Sequence, residues 1–303
     1  ELHAVRKSKI FAWIPIMQGC NKFCTYCIVP YVRGREISRT IPDICGEIRQ
    51  LAKEGYKEIT LLGQNVNSYG LDFRNGTNFA DLIRAIDEID GIERVRYMTS
   101  HPRDMTFDMV DAMAASPKVV RHMHLPVQHG SNEMLRRMNR GYTIEHFKEL
   151  LAYVREKMPD IAVTTDLITG FPGETEAMHE ETLKLLEDLR FDSAYTFIYS
   201  PRTGTPAARM EDQIDDATKH RRLQELMDTE NPISLALNKK MEGHTYEIIV
   251  EGPSKQDENH WYGRTSSNKM ILFPHKEGIH VGDTVKAKVD LAQTWVLKGE
   301  LVE

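Results

Sequence analysis

Three cysteines lie close together near the start of the chain, in the segment Cys-Asn-Lys-Phe-Cys-Thr-Tyr-Cys. Cys20, Cys24 and Cys27 are spaced i, i+4 and i+7 and follow the apolar run 11–17. Iron–sulfur clusters are bound by cysteine thiolates, so a local group of thiols is the ligand set that such a cluster requires. Three thiolates leave one iron of a [4Fe–4S] cluster without a protein ligand. The spacing therefore predicts a cluster whose open iron can bind a substrate.

Other uses of these thiols fit the pattern less well. Zinc prefers four ligands, commonly Cys and His, and no His lies within the segment. A disulfide framework is not expected from four cysteines in 303 residues without a secretory signal. The remaining thiol, Cys45, lies at the start of a predicted helix and is interpreted as a small buried residue. As a fourth ligand it would instead close the cluster for electron transfer.

Length, composition and net charge favour a globular protein without a membrane-spanning segment. A length of 303 residues favours two domains, and 41% hydrophobic with 28% charged residues is typical of a globular protein. No apolar stretch is long enough to span a bilayer, so no membrane partner is expected. Free thiols favour a reducing compartment, most simply the cytoplasm. The net charge of −6 excludes a uniformly basic surface for nucleic acid but allows a local basic patch.

Apolar runs alternate with segments of helical period over residues 1–238. Segment 143–158, with Thr143 as N-cap, and segment 174–189, with Glu174 and Glu176 in its first turn, are predicted helices. Alternating strands and helices form a parallel sheet with the helices outside. Six units are too few for an eight-fold barrel, so the sequence predicts an α/β domain with an open, partial (β/α)6 barrel. Its predicted strands are 12–17, 58–62, 95–99, 122–127, 161–168 and 194–199.

Polar residues follow each predicted strand, where barrels of this kind place their chemistry. Six such loops in one chain, the cysteine loop among them, predict a shared mouth at one end of the sheet. The other loops are 63–65, 100–102, 128–131, 169–173 and 200–204.

The pattern changes after a long predicted helix at about 217–239. Residues 239–303 form a second predicted domain, a small closed β-barrel of the OB-like type, because short strands there are separated by Gly, Pro, Asn and Asp. OB-like barrels often bind oligonucleotides, but nine basic against ten acidic residues give little support for that here. The five predicted strands are 244–250, 261–264, 270–273, 284–289 and 295–300.

Several segments together resemble one branch of the radical S-adenosylmethionine (SAM) superfamily, the tRNA adenosine methylthiotransferases. The C-x3-C-x2-C spacing resembles the superfamily signature, and the C-terminal barrel is similar to the TRAM domain, an RNA-binding module. The matching segments are 19–30, 33–36, 61–69, 99–102, 125–128 and 138–142.

The resemblance implies an enzyme that adds a methylthio group to C2 of N6-isopentenyladenosine next to the tRNA anticodon. Its cofactors would be the [4Fe–4S] cluster on Cys20, Cys24 and Cys27 and SAM, whose reductive cleavage gives a 5′-deoxyadenosyl radical. Its partners would be a tRNA anticodon stem-loop and an electron donor of the flavodoxin or ferredoxin type. A second [4Fe–4S] cluster is expected only in an N-terminal domain of the family, which these 303 residues do not include.

Two alternatives to this function stay open on the sequence. One is methylthiolation of a ribosomal-protein aspartate, the activity of the nearest sibling family. The other is a non-catalytic iron–sulfur protein that binds RNA and holds a closed cluster.

Eight residues are candidates for binding the cofactor. Tyr26 lies between two of the cysteines, where the resemblance implies an aromatic beside the SAM adenine; a packing role in the core is its alternative. Asp166 lies within a predicted strand, where a charge is costly unless it is paired or faces water. Arg140 is a weaker candidate, since a solvated helix face also explains it. The remaining candidates are Gly63, Gln64 and Asn65, which can equally form a simple turn, and Gln128 and Ser131.

Three arginines follow the cysteine loop closely. Arg33, Arg35 and Arg39 are accompanied by a single acid, Glu36. Guanidinium groups bind phosphate in a bidentate manner and stack on bases, so these residues are predicted to bind RNA. The alternative is a solvated loop in which they pair with Glu36.

Overall fold

The computed structural model describes Arg6, residues 8–257 and residues 259–303. These residues form a partial α/β barrel and a small all-β barrel, joined by one long helix, and the predicted fold class is confirmed. The helices of the described residues are α1 (Val29–Arg33), α2 (Ile41–Lys53), α3 (Phe79–Asp87), α4 (Phe107–Ala115), α5 (Asn132–Arg137), α6 (Ile144–Lys157), α7 (Glu176–Leu189) and α8 (Asp216–Lys239).

The partial barrel consists of two parallel three-stranded sheets laid side by side. The first has the order β1-β4-β5 and the second the order β6-β7-β8. A single parallel bridge between Val95 and Val119 joins them, so the six strands follow one another in chain order. The strands are β1 (Phe11–Pro15), β2 (Met17–Gln18), β3 (Ile37–Ser38), β4 (Glu58–Leu62), β5 (Arg94–Tyr97), β6 (His122–His124), β7 (Ala162–Thr169) and β8 (Ser193–Ile198).

The first predicted strand, 12–17, is divided in the structure. Strand β1 ends at Pro15, and Met17 instead pairs antiparallel with Ser38. Because proline has no N–H to donate to a ladder, the parallel pairing stops close to it. The short β2–β3 pair brackets the cysteine loop at both ends and fixes where that loop leaves the sheet.

Helix α6 shows why the helices pack on the outer face of the sheet. Thr143 is its N-cap, as predicted, and accepts a hydrogen bond from the amide of His146 at 3.4 Å. Its apolar residues recur with helical spacing and face the core, where burial of such side chains stabilises the fold. The buried set is Ile144, Phe147, Leu150, Leu151, Val154 and Met158.

The prediction that Glu174 belongs to the first turn of a helix is wrong. Helix α7 begins at Glu176 with Thr175 as its N-cap. Glu174 is buried, and its carboxylate accepts hydrogen bonds from His129 Nε2 and Arg222 Nη1, both at 2.9 Å. A buried carboxylate must be paired in this way, and both partners lie more than 40 residues away in sequence.

The C-terminal residues form a closed five-stranded barrel with the strand order β10-β11-β13-β12-β9. Its interior is apolar, and Ile248, Phe273 and Val289 are fully buried. At Gly299 a Cβ would lie 1.9 Å from the carbonyl oxygen of Lys288, so only glycine allows these two strands to approach. The strands are β9 (Thr245–Pro253), β10 (His260–Thr265), β11 (Met270–Pro274), β12 (Thr284–Ala292) and β13 (Leu297–Val302).

The small barrel contacts the sheet at the end where strands β4 and β5 begin, which we call the barrel end. Arg94 Nη1 donates to the carbonyl oxygen of Arg264 at 2.8 Å, and Arg96 Nη2 donates to that of Thr265 at 3.2 Å. Arg96 Nε also donates to the carboxylate of Glu58 at 2.8 Å. Guanidinium groups from the sheet thus hold the β10–β11 turn.

The described residues contain no helix with both the length and the apolar character that crossing a membrane would require.

Candidate active site

A cavity of about 740 Å³ opens at the opposite end of the sheet, where the strands finish; we call this the cavity end. The predicted shared mouth is confirmed for five of the six loops. At the fifth strand, Asp166 and Ile168 of β7 border the cavity rather than loop 169–173. The other lining residues are Cys20, Lys22, Cys24, Tyr26, Cys27, Val29, Gly63, Gln64, Asn65, Thr99, Ser100, His101, Pro126, Gln128, Arg140, Phe197, Ile198, Tyr199, Ser200 and Arg202.

The cysteine loop presents three free thiols to this cavity. Cys24 is buried, and Cys20 and Cys27 are partly buried. Burial raises the pKa of the Cys20 thiol to about 11 and also raises that of Cys27. Because metal ligation requires thiolates, cluster binding must release these protons.

The loop is fixed by contacts outside the thiols. Glu36 is buried and accepts hydrogen bonds from both the backbone N–H and the side-chain amide of Asn21, each at 3.0 Å. Gly19 has φ +79°, and a Cβ there would lie 1.9 Å from the carbonyl oxygen of Arg35. The sequence therefore needs glycine at this position for the loop to turn back on itself.

The donor set of three free thiols fits an iron–sulfur cluster, which cysteine thiolates bind. Among the described residues, no group of three or more His, Cys, Asp or Glu side chains is arranged around one metal ion. A [4Fe–4S] cluster takes one thiolate per iron, so its ligands surround a larger body than one ion. Cys45, the fourth thiol, does not border the cavity and packs in helix α2 against the apolar core.

Arg140 is drawn into the site rather than lying on a solvated helix face. The side chain is buried, and Nη1 lies 3.3 Å from Cys24 Sγ and 3.4 Å from the hydroxyl of Tyr26. Nη2 donates to the carbonyl oxygen of Pro126 at 3.0 Å. A fixed positive charge thus stands beside one of the candidate ligands.

The loop after β4 also reaches the cavity. Gln64 Oε1 accepts the N–H of Gly19 at 2.7 Å, which ties this loop to the cysteine loop. Asn65 donates to Asp104 Oδ2 at 2.7 Å, and Asp104 pairs in turn with Lys22 at 2.7 Å. Gly63 borders the cavity beside them.

Of the remaining candidates, Gln128 and Asp166 line the cavity and Ser131 does not. Ser131 is buried at the start of helix α5, where its N–H donates to His129 Nδ1 at 3.0 Å. The structure therefore gives Ser131 a place behind the site. Gln128 has φ +73°, a conformation that non-glycine residues rarely adopt and that costs conformational energy.

Four buried polar atoms beside the cavity have no partner in the described structure: Asn65 Oδ1, Ser100 Oγ, His101 Nε2 and Tyr199 OH. Buried polar groups are almost always hydrogen-bonded, so unpartnered atoms next to a cavity indicate that a ligand is expected there. This cradle of polar atoms and thiols fits a polar cofactor bound to a cluster.

His101 was not among the sequence candidates for the site. Its Nδ1 accepts the N–H of Arg103 at 3.2 Å, so the neutral ring carries its proton on Nε2. Burial, aided by the charge of Arg140, lowers the pKa of His101 to about 2. The ring is therefore a neutral donor at the cavity. Its sequence signals were its position directly after a predicted strand and its place in segment 99–102, which matches the family.

The three arginines of the RNA prediction differ in their surroundings. Arg33 and Arg35 are exposed, and the Arg35 guanidinium lies 5.9 Å from the ring centroid of Phe23. Arg39 instead pairs with Glu47 at 2.7 Å and donates to a backbone carbonyl. The alternative pairing with Glu36 is wrong, since Glu36 is turned inward to Asn21.

Comparison with known proteins assigns the family. The model of the radical SAM superfamily matches residues 14–186, and that of the TRAM domain matches residues 239–302. The chain belongs to the radical SAM superfamily. Among solved structures, this radical SAM protein shares its fold with coproporphyrinogen III oxidase from Escherichia coli, with TM-score 0.56 and 18% identity over 85% of this chain and 66% of that one. A radical SAM methyltransferase from Kitasatospora setae matches with TM-score 0.55 and 20% identity, over 65% of this chain and 38% of that one.

Curated relatives narrow the family further. Proteins named tRNA-2-methylthio-N(6)-dimethylallyladenosine synthase are 54% identical in Carboxydothermus hydrogenoformans, 52% in Thermoanaerobacter sp. strain X514 and 52% in Acetivibrio thermocellus. The matches cover 98%, 100% and 98% of this radical SAM protein, and 67%, 64% and 62% of those relatives. The chain belongs to this family and spans about two thirds of its relatives' length.

Proposed function

We propose that this chain supplies the radical SAM chemistry of tRNA methylthiolation, adding a methylthio group to C2 of N6-isopentenyladenosine next to the anticodon. The observation that carries the proposal is the set of three free thiols from one loop that open into one cavity. The names of the relatives supply the substrate. The ribosomal-protein alternative has no comparable support, and the buried position of Cys45 speaks against a closed four-thiol cluster.

Each residue of the site has a proposed task. Cys20, Cys24 and Cys27 would hold a [4Fe–4S] cluster, and three thiolates would leave one of its irons available to SAM. The bound cluster and SAM supply one-electron reductive cleavage, which is cofactor chemistry. Arg140 holds positive charge beside Cys24, and it orients the Tyr26 ring through its hydroxyl.

The polar residues of the strand ends bind the rest of the cofactor. Gly63, Gln64 and Asn65 offer backbone and amide groups, and Gln128 and Asp166 offer an amide and a carboxylate on the facing wall. Carboxylates bind the hydroxyl groups of a ribose well, because both hydroxyls can donate to one acceptor. Walls on several sides keep bulk water from a reactive intermediate.

The two parts of the chain have separate proposed roles. Residues 1–238 form the radical SAM domain and residues 239–303 the TRAM-like domain that holds the tRNA anticodon stem-loop. Exposed Arg33 and Arg35 beside the cysteine loop bind phosphates of the same RNA. A small flavodoxin- or ferredoxin-type protein supplies the electron. Four free thiols and a tRNA substrate favour the reducing cytoplasm as the place of action.

The test is anaerobic reconstitution followed by reaction with SAM, dithionite and isopentenylated tRNA. We expect 5′-deoxyadenosine, and more of it with isopentenylated tRNA than with the same tRNA lacking the isopentenyl group. We expect no 2-methylthio nucleoside from these 303 residues alone, because they hold a single thiol triplet and one isolated cysteine. A cluster-loaded protein that forms no 5′-deoxyadenosine under either condition contradicts the proposal.

A further inference from the structure

A chain of polar side chains runs through the interior of the partial barrel, away from the cavity. The hydroxyl of Thr164 lies 3.1 Å from His122 Nε2 and 3.0 Å from His124 Nδ1. The other ring nitrogen of His124, Nε2, lies 3.5 Å from Asp166 Oδ1. We call these four residues the lumen chain; only its last member, Asp166, borders the cavity.

The sequence pattern explains why these residues meet. In a strand, residues i and i+2 face the same side, so His122 and His124 share one face of β6, and Thr164 and Asp166 share one face of β7. The two strands pair in parallel with His124 opposite Thr164. The two faces therefore bring imidazole, hydroxyl and carboxylate groups into one line.

The hydrogen bonds of the lumen chain have a direction when the His124 ring is neutral. The His124 Nε2–Asp166 Oδ1 distance of 3.5 Å is an ion-pair contact rather than a hydrogen bond, and with the ring proton on Nε2, toward the carboxylate, Nδ1 is an acceptor. Thr164 must then donate to His124 Nδ1, and its oxygen accepts from His122 Nε2. With the His124 proton facing Asp166, the two rings and the hydroxyl form one ordered hydrogen-bond chain.

The surroundings favour an ordered arrangement. The edge of Tyr195 from β8 faces the His124 ring, with centroids 5.8 Å apart. Burial lowers the pKa of His122 to about 3, and the charges of Arg96 and of Lys269 and Arg264 from the small barrel act in the same direction. His122 therefore stays neutral, and the β10–β11 turn closes the lumen at the barrel end.

We propose that His124 is a positioning residue which, together with Thr164 and His122, fixes the Asp166 carboxylate on the cavity wall for the cofactor. The proposal rests on the proposed function, in which Asp166 contacts SAM. A carboxylate on an open wall has several rotamers, and a side chain locked by its neighbours binds a ligand with a smaller entropy cost. Strand β6, which pairs with β7, places His124 where it can hold the Asp166 carboxylate.

The neighbouring Thr165 supplies a matched control. It is fully buried on the other face of β7, where its hydroxyl donates to the carbonyl oxygen of Leu125 and accepts the N–H of Val127, both at 2.9 Å. Thr164→Val and Thr165→Val therefore each remove one buried hydroxyl from the same strand, but only the first interrupts the lumen chain.

The first experiment tests whether the hydrogen bonds of the lumen chain are connected. ¹⁵N-histidine-labelled protein carrying the oxidised cluster is compared with its Thr164→Val and Thr165→Val variants by NMR, with ring signals assigned from His122→Gln and His124→Gln. We expect the ring nitrogens of both His122 and His124 to shift in Thr164→Val and neither to shift in Thr165→Val. Unchanged ring signals in Thr164→Val, or equal shifts in both variants, would overturn the proposal.

The second experiment measures SAM affinity of the cluster-loaded protein by equilibrium dialysis. We expect binding about tenfold weaker for His124→Leu and within about twofold of the native protein for His124→Gln, whose amide can still donate to Asp166. The double variant Asp166→Ala/His124→Leu should lose no more than Asp166→Ala alone, because His124 acts through Asp166.

Other outcomes distinguish the positioning role of His124 from the proposed role of Asp166 in the cofactor site. Native affinity in His124→Leu together with weak binding in Asp166→Ala, or additive losses in the double variant, would overturn the positioning role. Native affinity in Asp166→Ala would instead remove Asp166 from the proposed cofactor site. The NMR comparison would then decide the lumen chain by itself.

Discussion

The two ends of the central sheet differ in what their buried polar side chains contact. At the barrel end, Arg94 and Arg96 donate to backbone carbonyls of the small barrel, and Arg96 also pairs with Glu58; Arg96 Nη1 is left over. At the cavity end, buried polar atoms of Ser100, His101 and other lining residues have no partner in the described structure. The same strands reach both ends, so the difference reflects what lies at each end: the small barrel at one and the cavity at the other.

The contrast separates binding within the chain from binding of a ligand. Buried charges that are paired with groups of the same chain are costly to remove, which suits a permanent contact between two parts of one chain. An unpaired buried donor costs free energy until a ligand accepts from it, which suits a site that must discriminate. We therefore expect changes at the barrel end to alter stability, and changes at the cavity end to lower ligand binding.

The largest expected effect is at the cavity end. Replacing Cys20, Cys24 or Cys27 by Ala should abolish the reconstituted cluster, because two thiolates leave two irons without protein ligands. Iron content and visible absorbance after anaerobic reconstitution measure this. Cys45→Ala is the control and should keep the cluster, since Cys45 packs in the core. An equal loss from Cys45→Ala would point to a four-thiol site.

At the barrel end, Arg94→Leu should lower the free energy of unfolding by about 3 kcal/mol, because two carbonyl oxygens of the small barrel lose their buried donor. Arg136→Leu removes an exposed arginine paired with Glu133 and should leave stability nearly unchanged, because solvent screens such a pair. Urea unfolding measures both. SAM affinity should stay within about twofold of the native value in Arg94→Leu; a large loss would contradict the separation of the two ends.

The barrel end also contains a carboxyl group with a raised pKa. Glu230 of helix α8 is buried, and burial raises its pKa from 4.5 to about 7, with one oxygen left unpartnered. The native state therefore holds this proton more tightly than the unfolded state. The resulting stability is fully present below about pH 4.5 and is lost as the pH rises through about 7.

Glu230→Gln should remove this dependence, because the amide is neutral at every pH in the range. At about pH 8 the variant should be more stable than the native protein by on the order of 2 kcal/mol, and near pH 5 the two should be similar. Urea unfolding at both pH values measures the difference, and Glu187→Gln on the exposed face of α7 is the control. Equal stability of native and variant at the higher pH would contradict the raised pKa.

These contrasts show which parts could be predicted from sequence. Local spacing identified the thiols, and the alternation of strands and helices identified the partial barrel and the small barrel. Contacts between distant segments escaped it: Glu174 fits the first turn of a helix by local pattern but pairs with Arg222, 48 residues away. His101 escaped for a different reason, because an unpartnered nitrogen is a property of packing and leaves no mark in residue type.

His101 offers the most direct test of the unpaired donors. His101→Phe should change stability little, because it removes a buried N–H without a partner and, in the opposite direction, the acceptor of the Arg103 N–H. SAM affinity should fall about tenfold, since a hydrogen bond to the ligand is lost. Tyr97→Phe is the matched control: it also removes a buried unpartnered polar atom, but away from the cavity lining, and affinity should not change. Equal affinities in the two variants would mean that unpartnered atoms do not mark the site.

The smallest expected effect concerns the rim of the cavity end, where paired and unpaired arginines lie six residues apart or less. The double variant Arg33→Gln/Arg35→Gln should weaken binding of an isopentenylated anticodon stem-loop several-fold. It should also reduce the slope of log K against log salt by about one to two, because fewer phosphate contacts form and fewer counterions are released on binding. Arg39→Gln should leave the slope nearly unchanged, because Arg39 is held by Glu47. Fluorescence anisotropy over a salt series measures both. An equal change of slope in Arg39→Gln and in the double variant would mean that the Arg39–Glu47 pair opens on RNA binding. Pairing in the free protein would then not distinguish structural arginines from RNA-binding arginines at this rim.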